Sequence, residues 1–206
     1  MKNPFVYRAG GVVSADIAVP DHEQEISFYA SILTTGEKPF WRDDLMNNAG
    51  TPVIGLGKRI PEYEFLPLQW MPHFQVADVA ASAARAVELG AKELMHSKTD
   101  DGQSQWAGYV DHDGAAFGII PVVTEASDET QQDDGLGRIS WLSLSVPDVS
   151  ASGDFYEQVI GYSSQPAETK DNGEAAGPIL MLMDNGNSAA EICPSCAGQD
   201  LSLIHI

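Results

Sequence analysis

The chain has 206 residues, 43% of them hydrophobic and 20% charged, with a mean hydropathy of −0.15. That is enough apolar material for a sizeable core, and it excludes a wholly disordered or collagen-like chain. The 30 Asp and Glu residues outnumber 11 Lys and Arg, giving a net charge of −19 and a pI near 4.3. Such acidity argues against partners that are nucleic acids or anionic membrane surfaces.

No apolar run approaches the roughly 20 residues that span a bilayer. The opening MKNPFVYRAGG lacks the apolar stretch of a secretory signal, so a cytoplasmic protein is expected. Cys193 and Cys196 form a C-P-S-C pair. Without a second pair or neighbouring His they do not make a zinc ribbon, and they do not open a helix as redox pairs do.

In chain order, the first pattern is Ser14 to Leu33, SADIAVPDHEQEISFYASIL. Ile17 and Val19 alternate with Asp16 and Ala18 as in a half-buried strand, Asp21 stands as a helix N-cap, and Ile26, Phe28, Tyr29, Ile32 and Leu33 form a helical stripe. Leu45–Asn48 and Pro52–Leu56 follow as strands. The second pattern starts at His73–Val76, with a helix entered at Asp78 and stopped at Gly90. Strands Ala91–His96, Gln105–Asp111 and Ala115–Val123 come next, the last two joined by the tight turn D-H-D-G at Asp111–Gly114.

Thr124–Gly137 is polar, acidic and aperiodic, the mark of an exposed linker. The third pattern, Trp141 to Ile160, reads WLSLSVPDVSASGDFYEQVI and aligns with the first without a gap. Both copies carry V-P-D, six further residues, F-Y and an aliphatic pair, and each F-Y is expected in the core. Leu182–Asn185 and Ala189–Cys193 repeat the downstream strands. The chain is thus strand–helix–strand–strand–strand three times, over residues 11–59, 69–123 and 138–193. Residues 201–206, LSLIHI, break the pattern. One choice of codons for them spells the end of a common transposon-based sequencing adapter, so they are expected to be a scar outside the fold.

The stretches VPDHEQEISFYASIL, WMPHFQVADVAASAARAVELGAKEL with YVDHDGAAFGII, and SWLSLSVPDVSASGDFYEQVIGY resemble the glyoxalase/bleomycin-resistance/dioxygenase superfamily, the vicinal oxygen chelate proteins. The middle stretch is similar to bacterial two-domain glyoxalase-like proteins, with His112 where those carry Pro. The resemblance implies an α+β fold in which βαβββ modules pair edge to edge around a cavity. Residues 11–123 would form one complete vicinal oxygen chelate domain and residues 138–200 the first module of a second. Such a half domain is expected to expose a sheet face and edges, and to form a homodimer through that module or to aggregate.

Metal-dependent members of that superfamily place a His on the first strand of each module and a Glu on the last. Carried over, the first-strand positions are Ser14, Met71 and Trp141, and the last-strand positions are Gly55, Gly118 and Glu191. No metal is therefore expected in the first domain, while Glu191 is a candidate ligand for a divalent metal in a complete second domain. Strand alternation puts Asp16 and His73 on the cavity side. They are candidates for ligand binding or acid–base work, or His73 is simply hydrogen-bonded in a polar pocket. Trp70 and Trp141 are candidate flat walls for an aromatic ligand, and Trp106 is expected in the core. No catalytic residue is assigned. The expected function is binding of a small metabolite in the first-domain cavity; the alternative is a metal-dependent lyase or dioxygenase centred on the second domain.

Overall fold

The computed structural model describes residues 9–34, 40–42, 45–48, 51–123, 139, 141–167, 179–184, 187–195 and 202–205. The expected linker, 124–137, lies outside them. The first module runs β1 (Val12–Val19), α1 (His22–Ile32), β2 (Phe40–Arg42), β3 (Leu45–Asn48) and β4 (Thr51–Lys58). The second runs β5 (Met71–Val76), α2 (Val79–Glu88), β6 (Lys92–Lys98), β7 (Ser104–Val110) and β8 (Ala116–Pro121). The third has β9 (Trp141–Val146), α3 (Val149–Ile160), β10 (Ser163–Pro166), β11 (Leu180–Asp184) and β12 (Asn187–Pro194). Each run is a strand, a helix and three further strands, and the fold is α+β.

In each module the first strand lies parallel to the last, and the helix makes the crossover between the first and second strands. The two modules of the first domain join where β1 meets β5 antiparallel, giving an eight-stranded sheet in the order β2-β3-β4-β1-β5-β8-β7-β6. The third module forms a second sheet, β10-β11-β12-β9-β13, in which β13 is Ser202–His205. Set apart from the fold on sequence grounds, this short segment pairs antiparallel with β9, as β5 does with β1. An open strand edge offers unpaired N–H and C=O groups to any extended segment within reach.

The helix entries differ. Asp78 and Asp148 cap their helices, each accepting a hydrogen bond at 3.0 Å, from Ala81 N and Ala151 N. Asp21, expected to do the same, makes no side-chain cap. The F-Y pairs differ more. Phe155 and Tyr156 on α3 are buried, whereas Phe28 on α1 is 54% exposed and Ile32 59%, and α1 has no buried residue. Core burial of the first F-Y pair is thus corrected for Phe28. The stripe divides: Ile26, Tyr29 and Leu33 pack partly buried against the core, while Phe28 and Ile32 point away from it.

What covers α3 is the back of the second module. Phe155 meets Phe117 and His112 edge-on, with ring centroids 5.7 and 5.5 Å apart. The D-H-D-G turn does two jobs here. Asp111 Oδ1 accepts from Asp113 N and Ala115 N, closing the turn with Gly114 at φ 93°. Asp111 Oδ2 accepts the Tyr156 hydroxyl at 2.9 Å, and Asp113 accepts the Ser152 hydroxyl at 2.6 Å. Burial and then the Asp111 carboxylate hold the Tyr156 phenol well above its usual pKa, so it stays a neutral donor. One apolar core runs through both sheets as a result.

Candidate functional site

The seam between β1 and β5 puts Ser14 opposite His73 and Asp16 opposite Met71. These four residues lie on the sheet face away from the apolar core, because alternation sends Ala15, Phe74 and Val76 to the other side. The side chains on this face lie close to the sheet for a simple reason. Asp16 is paired with Gly55 on β4, and His73 with Gly118 on β8. A Cβ on Gly55 would collide with the Asp16 carboxylate, and one on Gly118 with the His73 ring, 2.8 Å from Nε2. A third glycine, Gly108 on β7, lies under Met71, with the thioether sulfur 3.2 Å from where a Cβ would be. Side chains from the first strands thus lie down over glycines of their neighbours.

The polar groups converge on His73. Ser14 Oγ is 3.3 Å from its Nδ1, and Asp16 Oδ2 is 3.6 Å from its Nε2. His73 is mostly buried at 14% side-chain exposure while Asp16 keeps 41%, so a molecule approaching from solvent meets the carboxylate first. The two polar residues picked from strand alternation are therefore brought together, and Ser14 joins them.

The tryptophans are placed otherwise. Trp70 packs against the core and meets Tyr29 of α1 edge-on, with ring centroids 5.9 Å apart, on the opposite side from Met71 and His73. Trp106, expected in the core, is outside the core cluster and shares the face of Gly108, two residues away on β7. The missed signal was phase: Gly108 and Trp106 alternate with Ala107 and Tyr109, which are fully buried. Trp141 is half-buried on β9, in the other sheet.

The third module inverts the pattern. At the positions of Asp16 and Gly55 it has Ser143 and Glu191, which are paired on β9 and β12. The Ser143 hydroxyl donates to Glu191 Oε1 at 2.7 Å. The small residue is on the first strand and the long acid on the last.

A catalytic divalent metal ordinarily takes three protein ligands and keeps an open position. Among the described residues no three His, Cys, Asp or Glu side chains gather. Asp16 and His73 supply two donors, and the positions that the resemblance assigns to ligands hold Ser14, Met71, Gly55 and Gly118. Glu191 has the Ser143 hydroxyl as its hydrogen-bond partner, which does not complete a set. The described residues do not fit a metal at either place. No helix among them is long and apolar enough to cross a membrane.

The model of the glyoxalase-like domain family matches residues 13–120. Among solved structures, a variant of homoprotocatechuate 2,3-dioxygenase from B. fuscum in complex with HPCA is similar at 16% identity and a TM-score of 0.58, over 93% of this chain and 56% of that one. A Mn(II)-bound glyoxalase from Novosphingobium aromaticivorans is similar at 18% identity and a TM-score of 0.58, over 91% of this chain and 62% of that one. The 2,2′,3-trihydroxybiphenyl 1,2-dioxygenase of Sphingomonas wittichii strain RW1 follows at 14% identity and a TM-score of 0.55, over 96% and 71%. At these identities the likeness shows a shared fold. The chain spans little more than half the length of the first of these dioxygenases. No curated protein matches it.

Proposed function

Because the chain belongs to the glyoxalase-like domain family, we propose that its first domain binds a small metabolite at the β1–β5 seam, with Asp16 and His73 as the polar contacts. The observation that carries this reading is the convergence itself. A carboxylate, an imidazole and a hydroxyl come from two modules to one point, and the glycines of the neighbouring strands make room for the Asp16 and His73 side chains there. Buried or half-buried polar groups are costly unless partnered, so a fold keeps such a group where a partner arrives.

The test is a thermal-shift screen of small metabolites, cationic, neutral and anionic, aromatic and carbonyl-bearing compounds among them, on the full chain, repeated on Asp16→Asn and His73→Ala. Compounds should emerge that stabilise the parent and lose their effect in both variants. Stabilisers that act equally on all three proteins would sink the reading.

A second reading, a metal-dependent lyase or dioxygenase, has one observation in its favour: Glu191 stands at a position the family resemblance assigns to a metal ligand. Elemental analysis of purified protein decides between them. Stoichiometric divalent metal that disappears in Glu191→Ala favours this second reading over binding without metal.

A further inference from the structure

Among the described residues, no donor lies within hydrogen-bond range of the Asp16 carboxylate. Its nearest partner, His73 Nε2 at 3.6 Å, is beyond hydrogen-bond range. Oδ1 is turned down onto Gly55, buried and without a partner among the described residues. An ionised carboxylate has about four lone-pair positions to fill and loses free energy when water is removed without replacement. Yet the side chain is not sealed off, since 41% of it stays exposed. Oδ1 itself is sealed from solvent, so a donor from outside the protein reaches the carboxylate at Oδ2.

His73 sharpens what that donor must be. Ser14 engages Nδ1, which leaves Nε2 facing the carboxylate. When Nδ1–H donates to Ser14, Nε2 presents a lone pair beside Asp16 Oδ2. Two acceptors 3.6 Å apart then face one opening. A ligand that bridges them brings N–H donors to within about 2.9 Å of each, and a positive charge compensates the carboxylate. The surroundings suit the rest of such a molecule. The Met71 thioether lies over Gly108, and the Trp106 indole stands on the same face of β7. Sulfur and aromatic faces accept soft, flat cations. Just past the end of β4, Arg59 turns its Nη2 to the carbonyls of Glu64 and Leu66, at 2.9 and 2.8 Å, while its Nη1 is buried without a partner among the described residues. The net charge of −19 also raises the local concentration of cations.

We propose that the ligand class of this site is the small organic cation with N–H donors, an amidinium or primary ammonium on a flat apolar body, and not an anion or a neutral carbonyl compound. This rests on the reading of the β1–β5 seam as a binding site. The cation donates to Asp16 Oδ2 and His73 Nε2, while its apolar body extends toward Met71 and Trp106.

Three probes of matched shape separate the charges: benzamidine, benzamide and benzoate. Their affinities for the full chain are measured by calorimetry, and the His73 ring resonances are followed by NMR. Benzamidine should bind at least tenfold tighter than either analogue and shift the His73 resonances. Asp16→Asn, which keeps the shape, should cost at least tenfold. Benzoate or benzamide binding as well as benzamidine, or benzamidine indifferent to Asp16→Asn or failing to bind at millimolar concentration, overturns the assignment. If an analogue binds and moves the His73 resonances, the seam remains a binding site and only the cationic class falls. If none of the three moves them, and Asp16→Asn and His73→Ala leave the metabolite screen unchanged, the binding-site reading falls as well.

Discussion

Helices α1 and α3 carry one motif and meet different fates. Both follow V-P-D, and both present F-Y and an aliphatic pair after six residues. On α3, Phe155 is 3% exposed and closed in by the second module; on α1, Phe28 is 54% exposed. The amphipathic stripe is an intrinsic property of the sequence, and its burial is a property of the neighbour. A helix's apolar face states what it can bury, while another element decides whether it does.

Substitutions can break or sharpen that contrast, and the largest effect belongs to the buried ring. Phe155→Ala should destabilise by about 3–5 kcal/mol, as an emptied aromatic core site does. Phe28→Ala should stay within about 0.5 kcal/mol. Urea denaturation of both variants measures the pair, and equal losses would mean that α1 is covered in solution. Next in size is Tyr156→Phe, which strips a buried carboxylate of its donor. A loss of about 1.5–3 kcal/mol is expected, with Tyr29→Phe as the control near zero. The helix caps follow. Asp148→Ala should cost about 1 kcal/mol through the lost bond to Ala151 N, and Asp21→Ala almost nothing.

The smallest effect is a pH dependence. Tyr29, Tyr109 and Tyr156 all have phenol pKa values raised, chiefly by burial. Around pH 10 the unfolded chain begins to lose these protons while the folded chain keeps them. Stability contributed by these groups is therefore level below that point and falls as pH rises above it. Denaturation midpoints in alkaline buffers should show the decline, and Tyr156→Phe should lessen its slope.

Much of this was legible in the residues, and the misses have a common cause. The V-P-D landmark set the register, so Asp16 and His73 could be placed on one face before any coordinate existed. The strand–helix–strand–strand–strand order followed from turns and periodicity within each module. What failed depended on elements distant in the chain. The D-H-D-G turn read as a local hairpin, yet Asp111 and Asp113 also anchor α3, about 40 residues on. Phe28 read as core because its stripe was right. Trp106 read as core yet lies outside the core cluster, because the sequence marks apolar rings without saying which side of a twisted sheet holds the helix. The capping failure at Asp21 is local, and its backbone at φ −105° and ψ 66° departs from the extended geometry of Asp78 and Asp148.

The glycines beneath Asp16 and His73 bear on how such a site can change over time. At each seam position the volume for one long polar side chain is shared by two adjacent strands, and only one may use it. Asp16 over Gly55 is one solution; Ser143 beside Glu191 is the other. Moving from the first to the second takes two substitutions, and their order is constrained. Enlarging Gly55 while Asp16 is present creates a collision. Shrinking Asp16 first is permitted, at the cost of an intermediate with no acid at all. An evolving lineage, or a protein engineer, reaches the alternative arrangement through a step without an acid here, by changing both residues together, or by turning the Asp16 carboxylate aside to admit a side chain at residue 55.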